Sequence, residues 1–187
     1  IVSDDGSMPD VTARWTSKGD WGHFSVGALA RQLKYQTATT SAGGSGFGVS
    51  VSGKLNIGKN NDIRYMLTGG RGIGRYVGFG LGADGSLDAA ADDIDGIGVL
   101  AGFVAFRHVF DPKLRSNLMV SRAQFDNDTD VTGLGVTRSA QSIHANLIYS
   151  PFPKLDLGAE LIWGTREIES GLDGDLRRLQ TTIKYSF

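Results

Sequence analysis

The sequence predicts an all-β fold, a transmembrane antiparallel β-barrel, and three observations carry that expectation. Apolar residues recur with a period of two through most of the 187 residues, the spacing of strands with one apolar and one wet face. No window approaches the roughly 20 consecutive apolar residues of a membrane-spanning helix, and mean hydropathy is only -0.13. Barrel strands alternate and so hide their hydrophobicity from a window average. Finally, the connections between alternating segments run short, long, short, long, as they do between the two rims of a barrel.

Composition sets outer bounds. The chain is long enough for one domain and has 27 Gly, 4 Pro and no Cys. A formal net charge of -1 argues against a nucleic-acid partner, which would want a basic excess. The chain starts at Ile1 with no charged and then apolar leader. Either a signal peptide has been removed or the piece begins inside a longer protein; the strand count below favours the second.

Taken in order, residues 1–9 read as a polar loop. Residues 10–18 alternate, with Val11, Ala13 and Trp15 opposite Thr12, Arg14 and Thr16. A tight turn at 18–21 leads to a second strand over 23–35. Residues 36–45, rich in Thr, Ser and Gly, read as a longer polar loop. Residues 47–57 are the clearest strand, Phe47, Val49, Val51, Leu55 and Ile57 opposing Ser50, Ser52, Lys54 and Asn56. After a turn at 58–62, Ile63, Tyr65 and Leu67 alternate with Arg64, Met66 and Thr68. Residues 70–95, rich in Gly and Asp, are the longest irregular segment, with 76–81 a candidate strand continuation.

Residues 97–110 form a strand that is apolar on both faces near its middle. A turn at 111–113 precedes a strand with Leu114, Leu118 and Val120 opposite Arg115, Asn117 and Ser121. Residues 126–138 read as an acidic loop. Ile143, Ala145, Leu147 and Tyr149 then oppose Ser142, His144 and Asn146, and a turn at 151–154 leads to Leu155, Leu157, Ala159, Leu161 and Trp163 opposite Asp156, Gly158, Glu160 and Arg166. Residues 169–175 lead to the closing strand, where Leu179, Thr181, Ile183, Tyr185 and Phe187 oppose Arg178, Gln180, Thr182, Lys184 and Ser186.

The total is about nine strands, an odd number, whereas single-chain bacterial barrels have even counts. Residues 1–187 therefore read as the C-terminal section of a single barrel domain, with about seven strands missing if the whole has the 16 of a common porin. With the C-terminal residue periplasmic, the short turns are periplasmic and the long loops extracellular.

The segments WTSKGDWGHFSVGALARQLKY, IWGTREIESGLDGDLRRLQ and IKYSF resemble the DcaP-like family of trimeric Gram-negative outer-membrane porins. The resemblance covers most of the chain, most strongly 9–35 and 143–187. It implies a homotrimer of barrels, each of about 16 strands, that passes small anions, including dicarboxylic acids.

Several arginines share the face opposite the apolar one: Arg14, Arg31, Arg64, Arg115, Arg166 and Arg178. On the barrel reading they line the lumen, where guanidinium groups select anions. The other reading, left open, is that they pair with Asp156, Glu160 and further carboxylates and only stiffen the wall. Segment 70–95 has two readings, a constriction of the pore with Arg71 and Arg75 facing Asp84, Asp88 and Asp92, and a surface loop, which is the preferred expectation.

Other constellations are weaker. Asp126, Asp128 and Asp130 begin a calcium-loop spacing, yet Val131 stands where Gly is needed; bridging to lipopolysaccharide through divalent ions is the better reading of the acidic loops. Gly80, Gly82 and Gly85 match G-x-G-x-x-G without the helix that motif needs. His23, His108 and His144 lack metal-ligand spacing. Ser142, His144 and Asn146 invite comparison with barrel lipid hydrolases, but their face is the water-lining one, and their spacing along one strand reads as too spread for a nucleophile–base bond. Tyr149, Phe152, Tyr185 and Phe187 suit one membrane interface and Trp163 the other.

The expected function is passive diffusion of small anions across the bacterial outer membrane, with lipids and lipopolysaccharide as surroundings, no cofactor and no reaction. The rivals are a structural or anchoring barrel, a barrel lipid hydrolase and a soluble β-sandwich.

Overall fold

The computed structural model describes residues 6–78, 80–88 and 92–187. The first five residues of the expected N-terminal loop, and parts of segment 70–95, lie outside that range. The described residues form eleven strands and two single-turn helices: β1 Val11–Gly19, β2 Gly22–Gln36, β3 Ser41–Ile57, β4 Asn61–Arg71, α1 Gly74–Val77, β5 Gly85–Asp88, β6 Asp93–Gly96, β7 Gly98–Asp111, β8 Leu114–Asp126, α2 Thr129–Thr132, β9 Thr137–Tyr149, β10 Leu155–Ile168 and β11 Asp173–Tyr185. The nine long strands form one antiparallel sheet in the order β1-β2-β3-β4-β7-β8-β9-β10-β11, each paired with its neighbour in the chain apart from the β5–β6 excursion. Those two short strands pair with each other, and β6 also meets β3 in parallel at Gly43 and Asp93.

Several boundaries differ from the sequence reading. The expected loop 36–45 is only 37–40, closed by Thr37 N–H donating to Thr40 O at 2.8 Å, because β3 begins at Ser41. The loop expected at 126–138 gives residues to β8 and β9 and contains α2, whose Asp128 side chain accepts from the Asp130 amide at 3.1 Å. Residues 169–175 shrink to four connecting residues before β11. Two of the four expected long connections are thus short, and the contrast between rims rests on 72–97 and 127–136. Of the candidate strand at 76–81, residue 79 lies outside the described residues and the others are not in a strand: Tyr76 and Val77 end α1.

The registers place apolar residues in lateral rows. Trp15, Val26, Val51 and Leu67 are successive partners; so are Phe106, Leu118, Ala145, Leu161 and Leu179. Much of this face is exposed: Val49, Leu67, Val104, Leu118, Leu147 and Leu161 stand between 45% and 55% open, one on each of six successive strands. An apolar band this continuous far exceeds the patch of a few hundred Å² that a soluble monomer tolerates, and it suits lipid.

The buried core lies on the other face. Ile73, Ile97, Val99, Ala123 and Phe125 form one cluster, with Leu29, Val77, Leu81, Ala83 and Ala101 packed against it. A second holds Leu33, Ala42 and Ile94. Leu29, Leu33, Val99, Ala101, Ala123 and Phe125 all belong to the polar-parity face of the wall, so segment 72–97 lies on that face. Burying a side chain such as Ile73 or Phe125 stabilises by about 1.5–3 kcal/mol. The preferred expectation of a surface loop is therefore corrected: its isoleucines and leucines find cover only against the wall.

Candidate functional site

Close approach of segment 72–97 to β3 depends on missing side chains. A Cβ at Gly44 would sit 2.2 Å from Ile94 O, and one at Gly48 2.8 Å from Ile73 Cδ1. Glycine inside a strand often marks such an approach. Residues 43–48, of which 43–45 read as loop, are the strand surface on which the segment rests.

A buried ion-pair cluster fastens the segment. Arg31 on β2 and Asp84 just before β5 have side chains 2% and 1% exposed and meet at 3.1 Å. Asp84 also accepts from the Arg75 amide at 2.9 Å and from Arg75 Nε at 3.2 Å. Arg31 donates to Gly72 O at 3.1 Å, lies 3.5 Å from Asp10 and stacks 5.7 Å from the Tyr76 ring centroid; the Tyr76 hydroxyl donates to Asp10. Burial alone pushes the Asp84 carboxyl up, but the Arg75 amide and the Arg31 guanidinium outweigh it and hold the group below the ordinary aspartate value. Tyr76 is pushed above the ordinary phenol value, first by its bond to Asp10 and then by burial.

The other predicted residues are spread over the polar face. Arg14 Nη2 donates to Ser25 at 3.2 Å. Arg64 pairs with Asp62 at 2.8 Å, and Arg107 reaches the same carboxylate at 3.3 Å. Arg115 bridges Asp156 at 3.0 Å and Ser150 at 2.8 Å. Arg166 Nε donates to Thr137 at 2.9 Å. Arg178, on the exposed strand β11, has no bonded partner among the described residues. Arg71 donates to Gly96 O at 3.0 Å and lies 3.6 Å from Asp95. Asp88 ends β5, and Asp92 turns the chain with φ 53. Segment 72–97 therefore brings Arg31, Arg75 and Asp84 together, and the remaining arginines form no cluster with them.

One expectation fails on geometry. Ser142 and His144, two apart on β9, do bond: Ser142 Oγ and His144 Nε2 are 3.0 Å apart, and His144 Nδ1 is 3.3 Å from Glu160 Oε1. Side chains two apart share a strand face, and the long imidazole leans back to the short serine. Asn146 joins Glu160 instead, its Nδ2 donating at 3.1 Å. The Ser–His–Glu order is that of a nucleophile, a base and its orienting group. However, Ser142 Oγ also shares a 2.8 Å bond with Ser121 Oγ, and β9 is paired on both sides, so its amides serve the ladders and offer no oxyanion donors. Through these bonds the trio and Ser121 link β8, β9 and β10.

Sequence reasoning missed Lys18, His23 and Lys54. They were read one strand at a time, and only the register places them side by side.

No family profile and no curated protein matches this sequence. Among solved structures, the outer membrane channel DcaP of Acinetobacter baumannii matches with a TM-score of 0.88 at 24% identity, over 98% of this chain and 53% of that one. The likeness is one of fold: this chain spans about half the length of that channel and is built as its barrel wall is built.

Proposed function

We propose that this chain is a section of the wall of a bacterial outer-membrane diffusion channel. It is the C-terminal section of a larger barrel, and in the complete barrel small solutes pass along its polar face. The observation that carries this reading is the pairing of an outward apolar band with a polar face against which a segment is packed and ion-paired. A soluble sheet would bury the apolar band; this one buries its inner segment instead. Fold likeness to an outer membrane channel supports the same reading.

The mechanism is passive. Segment 72–97 narrows the lumen, and the wall sets the charge that a solute meets. Arg64, Arg115, Arg166, Arg178, Lys54 and Lys184 on that face outnumber Asp62, Asp156 and Glu160. An excess of fixed cations raises the local concentration of small anions, carboxylates among them. Lipid and lipopolysaccharide surround the apolar band, and the complete protein is a homotrimer. No reaction and no cofactor enter the mechanism.

The test is the complete barrel in planar bilayers under a salt gradient. The expected reversal potential lies toward the anion, and Arg178→Gln moves it toward zero. A cation-selective reversal potential overturns the anion reading. Absence of conductance leaves the anchoring barrel.

A further inference from the structure

One lateral row on the polar face is basic on each of its first four strands. Lys18 on β1 pairs with His23 on β2, His23 with Lys54 on β3, and Lys54 with Arg64 on β4. Four neighbouring strands thus place four basic side chains next to one another, about 4.8 Å apart per strand. Like charges directly opposite each other destabilise a sheet. Arg64 alone has a carboxylate, Asp62 at 2.8 Å; Lys18, His23 and Lys54 have no hydrogen-bonded or ion-paired partner among the described residues. A cleft of about 510 Å³ opens at the same end of the sheet, lined by Lys54, Asn56, Lys59 and Arg107 together with Asp20 and Asp62.

We propose that this row, with the cleft beside it, is a binding site for phosphate-class polyvalent anions at the short-turn mouth of the channel, separate from the narrowing at segment 72–97. The charges are spaced so that one compact anion touches two or three of them. The donors left wholly without a partner are point-like ammonium groups and an imidazole, while Arg64 gives its Nε to Asp62 at 2.8 Å. Point donors suit a tetrahedral oxyanion, whereas planar carboxylate recognition favours a free arginine fork. The location as a pore mouth rests on the channel reading; the anion site itself does not.

The experiment is calorimetric titration of the complete barrel in detergent with inorganic pyrophosphate, beside the reversal-potential measurement above. Lys18→Gln with Lys54→Gln should weaken pyrophosphate binding at least about tenfold, since two charges facing the ligand are lost. Lys113→Gln with Lys154→Gln removes two charges from short turns at the same end and should leave binding unchanged. Heat-modifiable migration in gels confirms that both double variants are folded. Equal loss in the two variants means general surface charge and overturns the site. So does undetectable binding to the wild type, or binding that Lys18→Gln with Lys54→Gln does not change. Because binding is read without current, a channel that proves cation-selective or silent removes the proposed function and leaves this site to be decided on its own titration.

Discussion

Asp84→Asn keeps the shape of the side chain and removes its charge. Arg31, 2% exposed, then keeps its charge with only Asp10, at 3.5 Å, as a carboxylate partner among the ion pairs described above. Breaking a buried pair from one side costs about 3–5 kcal/mol, because the remaining charge stays desolvated. Ile73, Val77 and Leu81 still hold the segment by apolar contact, so the strand order survives and the loss falls on the attachment of 72–97 to the wall. At 1.36 kcal/mol per decade, the lower figure raises the detached fraction by about a hundredfold. Single-channel recording should show larger or noisier openings, and limited proteolysis should gain a cut within residues 80–88. Arg31→Met with Asp84→Leu removes the buried charge of both residues and should recover part of the protection, Arg75 and Asp10 having each lost a partner. Wild-type conductance and protease resistance in Asp84→Asn would refute the claim that the pair fastens the segment.

Four further outcomes follow from the same geometry. Asp84 has a depressed folded value, so its stabilisation is complete above the ordinary aspartate value near ~3.9 and is lost as pH falls through the folded value. Tyr76 has a raised folded value, so its contribution holds below about 10 and fades as pH rises through the folded value; conductance should be flat between these limits, and Asp84→Asn should abolish the acid transition. Gly44→Val puts a methyl-bearing carbon against Ile94 O and should expose the segment to protease, whereas Gly43→Val, whose Cβ meets nothing nearer than 3.9 Å, should not. Leu161→Lys on the apolar band should cost about 2–4 kcal/mol in urea unfolding from vesicles, while Ile162→Lys, one residue on and facing the polar side, should cost far less. Ser142→Ala should cost about 0.5–1.5 kcal/mol and leave any ester hydrolysis in detergent unchanged; loss of such hydrolysis would revive the enzyme reading.

Strand faces were legible because period-two alternation is local, and the long strands keep it over most of their length, β7 excepted, which is apolar on both faces near its middle. Boundaries were less so. Ser41 to Gly46 has the composition of a loop, and only the backbone carbonyl of Ile94 lying against Gly44 explains why glycine belongs in a strand there. Segment 70–95 was misjudged for a related reason. Its Gly and Asp content resembles a solvated loop, while Ile73, Leu81 and Ile94 are too far apart in sequence to form a periodic signal. Asp84 looked like one acid among several, and nothing local distinguishes it from Asp88. Lateral constellations such as Lys18, His23, Lys54 and Arg64, or Ser142, His144 and Glu160, depend on pairings between separate strands, which alternation within each strand leaves undetermined.

Segment 72–97 leaves the wall at β4 and returns at β7, yet its holdfasts lie on both sides of that gap. Arg31 and Leu33 on β2 grip one flank, and Ala123 and Phe125 on β8 grip the other. It therefore acts as a crossbeam. A sheet of long antiparallel strands flexes easily across its strands, because neighbouring ladders hinge about one another; a strut spanning from β2 to β8 removes that hinge over its span. If the wall encloses a pore as proposed, its width at this depth becomes a property of stiffness as well as of shape. On the proposed channel reading, a solute that strains the wall meets a rigid frame here and a compliant one toward β11, where no described segment crosses the strands.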